Sequence, residues 1–396
     1  MKNTRVLVSG AGIAGPSLAY WLDRYGFEVA VVERAAGIRP GGQAVDVRGP
    51  GLEVAERMGV LAEVRAKGTG MRGMSVVDGD GVEVYRSQER TVSGGELDSA
   101  DVEILRDDLA KIIAAAGGDG IEYLFDDSIA VLEQDEDGVR VVFESGLRRS
   151  FDLVVGADGL HSRTRRLVFG PSEVSIRHLG TCMAVCTVPN FLGLDHWQVM
   201  HQMPGGGLRG AMVMSARDNT EARAYLMFDP AGTVDYDHRD VRAQKELVAR
   251  ELAGDGWEMP RLLELMRSAP DFHFDSAAQV HLDSWSKGRV VLLGDAGYCG
   301  SPLSGQGTTM AMVGGYVLAG ELKAADGDHV TAFTAYEKEL RDYVHANQQV
   351  AITNMRQRRA QIAQETAGAA EAAEALAEAG AEEFTQVVAS YSVKDY

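Results

Sequence analysis

The sequence predicts an α/β fold with a sheet-rich domain inserted into it and a long helix toward its C-terminal end. Three observations predict it. Short apolar runs at 4–9, 151–156 and 288–293 have the pattern of strands buried on both faces of a parallel sheet. Each run closes on a turn of glycine or aspartate. Between 176 and 228 the pattern changes to strands rich in Met and aromatic residues, and beyond 305 it reads mostly as helix.

The first run carries the strongest local signal. Thr4 to Ser9 leads into Gly10-Ala11-Gly12-Ile13-Ala14-Gly15, then a helical stretch, then Glu28-Val29-Ala30-Val31-Val32-Glu33. Gly10 permits the tight turn, Gly12 lets a pyrophosphate approach the backbone, and Gly15 lets helix and strand pack closely. The pyrophosphate then meets exposed N–H groups at a helix N-terminus, where the dipole favours negative charge. Glu33, about twenty residues on, can accept both hydroxyl protons of an adenosine ribose. Gly10, Gly12, Ala14, Gly15 and Glu33 are therefore the candidate contacts, in a Rossmann-like domain. A second copy of the spacing, 205–210, follows Met203-Pro204 and precedes an apolar run. With no strand–turn–helix around it, that copy reads as a hairpin loop.

Down the chain, 44–48 alternates, 51–64 has helical periodicity, and 74–85 is a hairpin with an Asp/Gly turn. An amphipathic helix is expected over 103–116, with Arg106 near its start, followed by strands at 129–135 and 139–144. Strands are expected at 182–188, 197–203, 211–216 and 224–228, and helices at 241–250 and 260–269. Helix is expected from 305 to about 363, and an Ala/Glu-rich stretch over 365–380 reads as helical and loosely attached. The interleaving assigns 1–72, 99–172 and 280–345 to a discontinuous nucleotide-binding domain. It assigns 73–98 with 173–279 to an inserted substrate domain, and 346–396 to a C-terminal helical segment.

The totals set limits. A chain of 396 residues can bury one large core or two domains. Hydrophobic content of 45% and charged content of 24% are those of a globular protein. A net charge of −19 argues against nucleic acid and anionic membrane as partners. Three scattered cysteines make no disulfide framework, and the Cys182–Cys186 pair has no second ligand pair for zinc. Reduced thiols point to the cytoplasm. No apolar stretch is long enough to span a membrane, and the first apolar run belongs to the glycine loop rather than to a signal peptide.

Two later motifs place an aspartate just beyond a buried strand, where α/β sheets bind ligands. Gly156-Ala157-Asp158-Gly159 is followed by His161-Ser162-Arg163, and Asp158 reads equally as a helix cap. Gly294-Asp295-Ala296-Gly297 runs through Pro302 to Gly305-Gln306-Gly307, a glycine turn that opens a long helix. A flavin needs such a surface twice: at its phosphates or ribityl hydroxyls, and at the N1/O2 edge that becomes anionic on reduction.

Taken together, the glycine fingerprint ending in Glu33-Arg34, the Asp158-Gly159 motif and the Gly294-Asp295…Pro302…Gly305-Gln306-Gly307 motif resemble group A flavoprotein monooxygenases. These are the single-component aromatic hydroxylases related to p-hydroxybenzoate hydroxylase, and the resemblance covers about residues 4–365. Gly41-Gly42-Gln43-Ala44-Val45-Asp46, Leu105-Arg106-Asp107-Asp108-Leu109 and Ser304-Gly305-Gln306-Gly307 look most like tetracycline-modifying monooxygenases of the TetX type. The resemblance implies non-covalent FAD, NADPH or NADH as a transient reductant, O2 as co-substrate, and hydroxylation of an aromatic or polycyclic molecule through a C4a-hydroperoxyflavin. It implies that Gly10, Gly12 and Gly15 hold the pyrophosphate, Glu33 the ribose, and Arg34 the adenine side. Arg106 would reach the ribityl–phosphate region, Asp158 would be shared with the nicotinamide cofactor, and Asp295 would bind the ribityl or phosphate portion. Gly305, Gln306 and Gly307 would meet the isoalloxazine, with Pro302 on its oxygen-reactive face. One position departs from the family: Tyr298 stands where a histidine is common.

The substrate would lie between the inserted sheet and the flavin ring, with Asp46, Gln202, Met214 and Pro302 as candidate contacts. Gln202 sits where TetX-like enzymes carry a substrate-facing glutamine. Trp197, Met200, Met212, Tyr225 and Phe228 are further candidates, and each reads more readily as sheet core. Asp46 and Arg48 follow the Gly-Gly loop near the expected flavin edge, or pair with each other, since positions two apart share a strand face. Arg48 is on that reading a cofactor contact. A monomer is expected, with a dimer open, and no metal. Baeyer–Villiger oxygenation uses the same flavin chemistry and stays open, as does a non-catalytic flavin-binding redox module. A flavin-dependent halogenase is disfavoured, because no Trp-x-Trp-x-Ile-Pro signature surrounds Trp197, Trp257 or Trp285.

Overall fold

The computed structural model describes residues 1–92, 95–171, 175–203, 207–232, 234, 236–367 and 384–396. A six-stranded sheet organises it, in the order Ser286–Lys287, Val290–Leu292, Leu153–Gly156, Arg5–Ser9, Glu28–Val32, Ile121–Leu124. All neighbours run parallel except the edge pair at 286–287, which is antiparallel. Ser9 lies beside Gly156 and Val32, and Gly156 beside Leu292. Four adjacent strands thus end level, and Gly10, Glu33, Ala157 and Leu293 leave the sheet side by side.

Helices Ala14–Arg24 and Gly307–Ala324 pack together over one face of this sheet. Their crossing needs Gly315, where a Cβ would stand 2.9 Å from the Leu18 amide nitrogen. The other face is covered by a three-stranded antiparallel sheet, Ile129–Gln134, Val139–Phe143 and Arg148–Phe151. Its Val141 and Phe143 bury against Leu7, Ala30 and Val154.

A seven-stranded sheet runs in the order Phe272–His281, Ser175–Val188, Glu221–Phe228, Arg209–Ala216, Gln198–Gln202, Met74–Val77, Glu83–Ser87. The alternation of its strands sorts the side chains by face. Ala184, Val213, Ala224 and Phe228 pack under helices Val241–Glu251 and Met259–Ser268. Val185, Met200, Met212, Met214, Tyr225 and Met227 form the opposite face, against Ala44 and Val92.

Several expected boundaries move. The helix expected over 51–64 is two, Pro50–Arg57 and Leu61–Ala66, because Gly59 turns left-handed at φ +76° between them. The helix expected from 103 begins at Arg106, because Val102–Leu105 is a strand paired antiparallel with Ala44–Val47. The run at 151–156 divides into Arg148–Phe151 and Leu153–Gly156, which belong to different sheets. Strands Ile121–Leu124 and Phe272–His281 were not expected at all. The C-terminal helix is two, Gly307–Ala324 and His329–Ala367, separated by Gly327 at φ +79°. The second glycine copy lies between Gln198–Gln202 and Arg209–Ala216, which pair antiparallel, so no helix follows it; 204–206 lie outside the described residues. So does most of the Ala/Glu-rich stretch, 368–380.

Beyond it, 384–396 docks against the six-stranded layer. Lys394 Nζ and the Tyr396 hydroxyl both reach Glu321, at 2.6 and 2.7 Å, and Asp395 pairs with Arg57 at 2.7 Å. The three cysteines are unpaired and buried. Among the described residues no helix is long and apolar enough to cross a membrane, and no cluster of His, Cys, Asp and Glu could hold a metal ion.

Candidate active site

The level strand ends bring the three motifs together. A Cβ on Gly10 would stand 2.5 Å from the Ala157 carbonyl oxygen, so the glycine loop lies directly on the turn that carries Asp158. A Cβ on Gly294 would stand 3.2 Å from the Cβ of Ala14, so the Asp295 turn abuts the start of the first helix. The Arg48 amide donates to Thr309 Oγ1 at 3.2 Å, which ties strand Ala44–Val47 to the start of helix Gly307–Ala324. Gly10, Glu33, Asp158, Asp295 and Gly307 thus surround one region at the carboxyl ends of the sheet.

Two glycines leave room there. A Cβ on Gly12 or Gly307 would meet no protein atom within 4 Å. Several polar atoms in the same region have no protein partner. The Gln306 side chain is fully buried, and neither its Oε1 nor its Nε2 is hydrogen-bonded. Gln43 Oε1, Arg106 Nε and Asp46 Oδ1 are likewise buried and unbonded. Each such group costs about 1–3 kcal/mol if left unpaired. An elongated polar ligand carrying donors and acceptors removes that cost. These residues fit an FAD molecule.

The local details refine individual roles. Glu33 Oε2 accepts from the Ala11 amide at 2.8 Å and Oε1 from Ala35 at 2.9 Å, so the carboxylate also braces the glycine loop. Arg34, beside it, is exposed. Arg106 starts its helix, and its Nη2 donates to the Arg39 carbonyl at 2.6 Å. Burial, and then Arg39, bring its guanidinium down to about 10. Asp158 accepts from Thr164 N at 2.9 Å, Thr164 Oγ1 at 3.0 Å and the Ser162 hydroxyl. The N-cap of helix Arg163–Phe169 is Ser162, whose hydroxyl accepts from the Arg165 amide at 2.9 Å, so Asp158 braces the first turn without being the cap residue. A ligand at Asp158 would share that carboxylate. Asp295 opens the short helix Asp295–Tyr298 after Gly294 at φ +62°, and is exposed. Tyr298, in the position of the usual histidine, is buried: its hydroxyl lies 2.8 Å from that of Tyr336. Gly314 makes room for it, since a Cβ there would stand 2.2 Å from the Tyr298 hydroxyl.

A cavity of about 340 Å³ adjoins the turn Pro302–Gly305. Pro302, Leu303, Ser304 and Gly305 form one wall. Val92, Leu208, Met355 and Phe384 supply apolar surface, and Arg48, Thr181, Asp229 and Asn354 supply polar groups. Arg48 Nη2 pairs with Asp46 Oδ2 at 2.9 Å, and its guanidinium lies 4.9 Å from the Phe384 ring centroid. Burial outweighs the attraction of Arg48 and raises the Asp46 carboxyl to about 7. Met214 is fully buried in the Met-rich face, where the Tyr225 hydroxyl donates to its sulfur at 3.6 Å. Gln202 ends its strand half-buried opposite Gly210. Neither Gln202 nor Met214 is among the described residues lining the cavity. Phe228 lies on the far face of its sheet, under the helices. Asn354, Met355 and Phe384 carried no sequence signal: only tertiary packing brings them to Pro302.

Comparisons with known proteins show the family and the fold. A family model described as "FAD binding domain" matches residues 3–357. An uncharacterized protein of Mycobacterium tuberculosis is 51% identical over 392 residues, covering 99% of each chain. A flavin-dependent monooxygenase of Legionella longbeachae is 40% identical over 353 residues, covering 89% of this chain and 88% of its own. Among solved structures, tetracycline destructase Tet(51) superposes with a TM-score of 0.90 at 35% identity over the full length of both chains. Tetracycline destructase Tet(55) gives 0.86 at 37% identity, covering 100% of this chain and 99% of its own.

Proposed function

The chain belongs to the FAD-binding family of flavin-dependent monooxygenases, and from that premise we propose that it uses NADPH or NADH and O2 to hydroxylate an aromatic or polycyclic small molecule of the polyketide or tetracycline kind. One observation carries the reading furthest: the cavity opens directly on Pro302–Gly305, at the turn that begins the helix of the flavin edge. FAD, when bound, supplies the oxidation chemistry.

The chain's own groups bind, orient and exclude water. Gly10, Gly12, Ala14 and Gly15 present backbone to the pyrophosphate, and Glu33 with Arg34 holds the adenosine side. Arg106 and Asp295 hold the middle of the cofactor. Gln306 would offer its two unbonded amide atoms to the flavin ring, and the first-turn amides of helix Gly307–Ala324 would stabilise the charge the ring gains on reduction. Arg48 with Asp46 sets polarity at the cavity wall, and Asp46 holds a proton that leaves as pH rises through about 7. Phe384, Val92 and Leu208 keep water from the reacting carbon.

The purified protein is expected to be yellow, with FAD released intact by acid precipitation. FMN alone, or no flavin, overturns the reading. Assays of NADH and NADPH oxidation against a panel of polycyclic phenols, with labelled oxygen traced into product, then test the reaction. A single label on a hydroxyl supports hydroxylation, a label in a new ester supports Baeyer–Villiger insertion, and oxidation with no labelled product supports neither.

Glu33→Ala is expected to weaken FAD binding tenfold or more. It removes a charge-assisted ribose bond worth about 1.5–3 kcal/mol and also frees the Ala11 amide. Equilibrium dialysis checks it, and unchanged affinity would reduce Glu33 to a brace of the glycine loop.

A further inference from the structure

We propose that Arg217 is a positioning residue for the glycine loop 41–44, and that through this loop the seven-stranded sheet sets the place of the cofactor. The inference rests on the flavin reading above. Arg217 stands at the tip of the hairpin that joins strands Arg209–Ala216 and Glu221–Phe228. Three consecutive non-glycine residues there, Arg217, Asp218 and Asn219, are left-handed, with φ of 49°, 52° and 65°. Such geometry persists only where the surroundings over-determine it, and it gathers at functional positions. Asn219 supplies part of the constraint: its Oδ1 accepts from the His196 amide at 2.8 Å, and its Nδ2 donates to Asp195 at 2.8 Å.

The tip aims Arg217 across to the six-stranded layer. Its Nη2 donates to both oxygens of Asp107, at 3.0 and 2.8 Å, and its Nη1 to both oxygens of Asp108, at 3.0 and 2.9 Å. Its Nε pairs with Glu221 at 3.0 Å. One guanidinium thus uses its whole fork, a geometry that lysine cannot copy.

Asp107 is the link to the site. It is 1% exposed, in the first turn of the helix that starts at Arg106. Besides Arg217 it takes Lys111 Nζ at 2.9 Å and the Gly41 amide. Burial works to raise its carboxyl, and these three partners override burial and hold it below the usual carboxylate range. Gly41 and Gly42 are both left-handed, at φ of 71° and 99°, so the loop has little stiffness of its own. Two more residues of the same sheet grip it: Arg223 Nε donates to the Gly42 carbonyl at 3.1 Å, and the Tyr225 hydroxyl accepts from the Ala44 amide at 2.8 Å. The Gln43 carbonyl in turn accepts from the Arg106 amide at 3.0 Å. Arg217 therefore acts on the cofactor through Asp107, Gly41 and Arg106, without touching it.

The test compares Arg217→Gln, Arg217→Lys and Asp107→Asn with Arg149→Gln, which removes an exposed pair with Glu122 on the six-stranded layer's outer strand. FAD dissociation constants are measured on apoprotein by quenching of flavin fluorescence, beside melting of the apoproteins and kcat and KM for NAD(P)H. Arg217→Gln should bind FAD about tenfold more weakly and lose kcat more than KM changes, while its apoprotein melts close to that of Arg149→Gln. Arg217→Lys should recover part of the affinity. Asp107→Asn, which leaves no buried charge behind, should match Arg217→Gln, and it decides the matter if Arg217→Gln does not fold. Equal FAD affinity in the Arg217, Asp107 and Arg149 variants overturns the proposal alone. A wild-type chain that takes up no FAD overturns the flavin reading and this proposal with it.

Discussion

Gly12→Val should give a folded protein that no longer holds FAD, whereas Gly15→Val should fail to fold. The two glycines belong to one loop, and their surroundings are opposite. A Cβ on Gly15 would lie 1.9 Å from the Gly10 carbonyl oxygen, which is backbone and has nowhere to go. Gly10 is itself wedged against Ala157 at φ +110°, and its amide donates to the Val32 carbonyl at 2.8 Å. Forcing a side chain between helix and sheet at this point separates the packed layers, a cost above the usual 1–3 kcal/mol of overpacking. A Cβ on Gly12 meets no protein atom within 4 Å, and its φ is not left-handed, so valine fits the apoprotein. It fills the space through which a pyrophosphate approaches the backbone. Losing two charge-assisted bonds of about 1.5–3 kcal/mol each lowers affinity by about a hundredfold or more. Circular dichroism and the flavin content of the purified variants check both outcomes. Wild-type flavin content in Gly12→Val would remove the phosphate role from this loop.

The different roles of these glycines were legible in the sequence, because the fingerprint leaves Gly12 to the pyrophosphate and Gly15 to the helix–strand contact; the distances behind them were not. A uniformly apolar strand and a glycine turn are local, so the runs at Arg5–Ser9, Leu153–Gly156 and Val290–Leu292 could be read, and the region where their ends meet followed from the fold class. Strand Val102–Leu105 could not be read, because its partner Ala44–Val47 is distant along the chain and its Glu103 fits a helix as well as a strand. Phe272–His281 mixes His, Asp, Ser and Gln into its alternation, so it gave no clean period. The site divides in the same way. The Asp46–Arg48 pairing was open to reading because the two lie on one strand face. Phe384, Asn354 and Arg217 reach their positions from separate elements through tertiary packing, which periodicity does not encode.

Gly307→Val should slow NAD(P)H-dependent reduction of the flavin by about a hundredfold or more while leaving the protein folded and its adenosine end bound. Local strain is not the reason. Gly307 is the first residue of helix Gly307–Ala324 and its φ is not left-handed; the left-handed residue of the turn is Gly305, at φ +63°. Valine is therefore tolerated at 307 by the apoprotein, and a Cβ there meets no protein atom within 4 Å. Gly307 follows the buried, unbonded Gln306 and opens the helix whose first-turn N–H groups lack intrahelical partners. Those N–H groups and the helix dipole can stabilise negative charge at the N1/O2 edge only if the ring comes close to the backbone. A branched side chain holds the ring away and misaligns it toward both the nicotinamide and the cavity beyond Pro302. A displacement of about 1 Å at a reacting centre costs about a hundredfold in rate. Flavin reduction followed by stopped flow on the FAD-loaded variant should fall by at least about that factor, and labelled product should fall with it. Wild-type reduction and wild-type product would mean that this turn only starts a helix, and the flavin edge would have to be sought elsewhere along the carboxyl ends of the sheet.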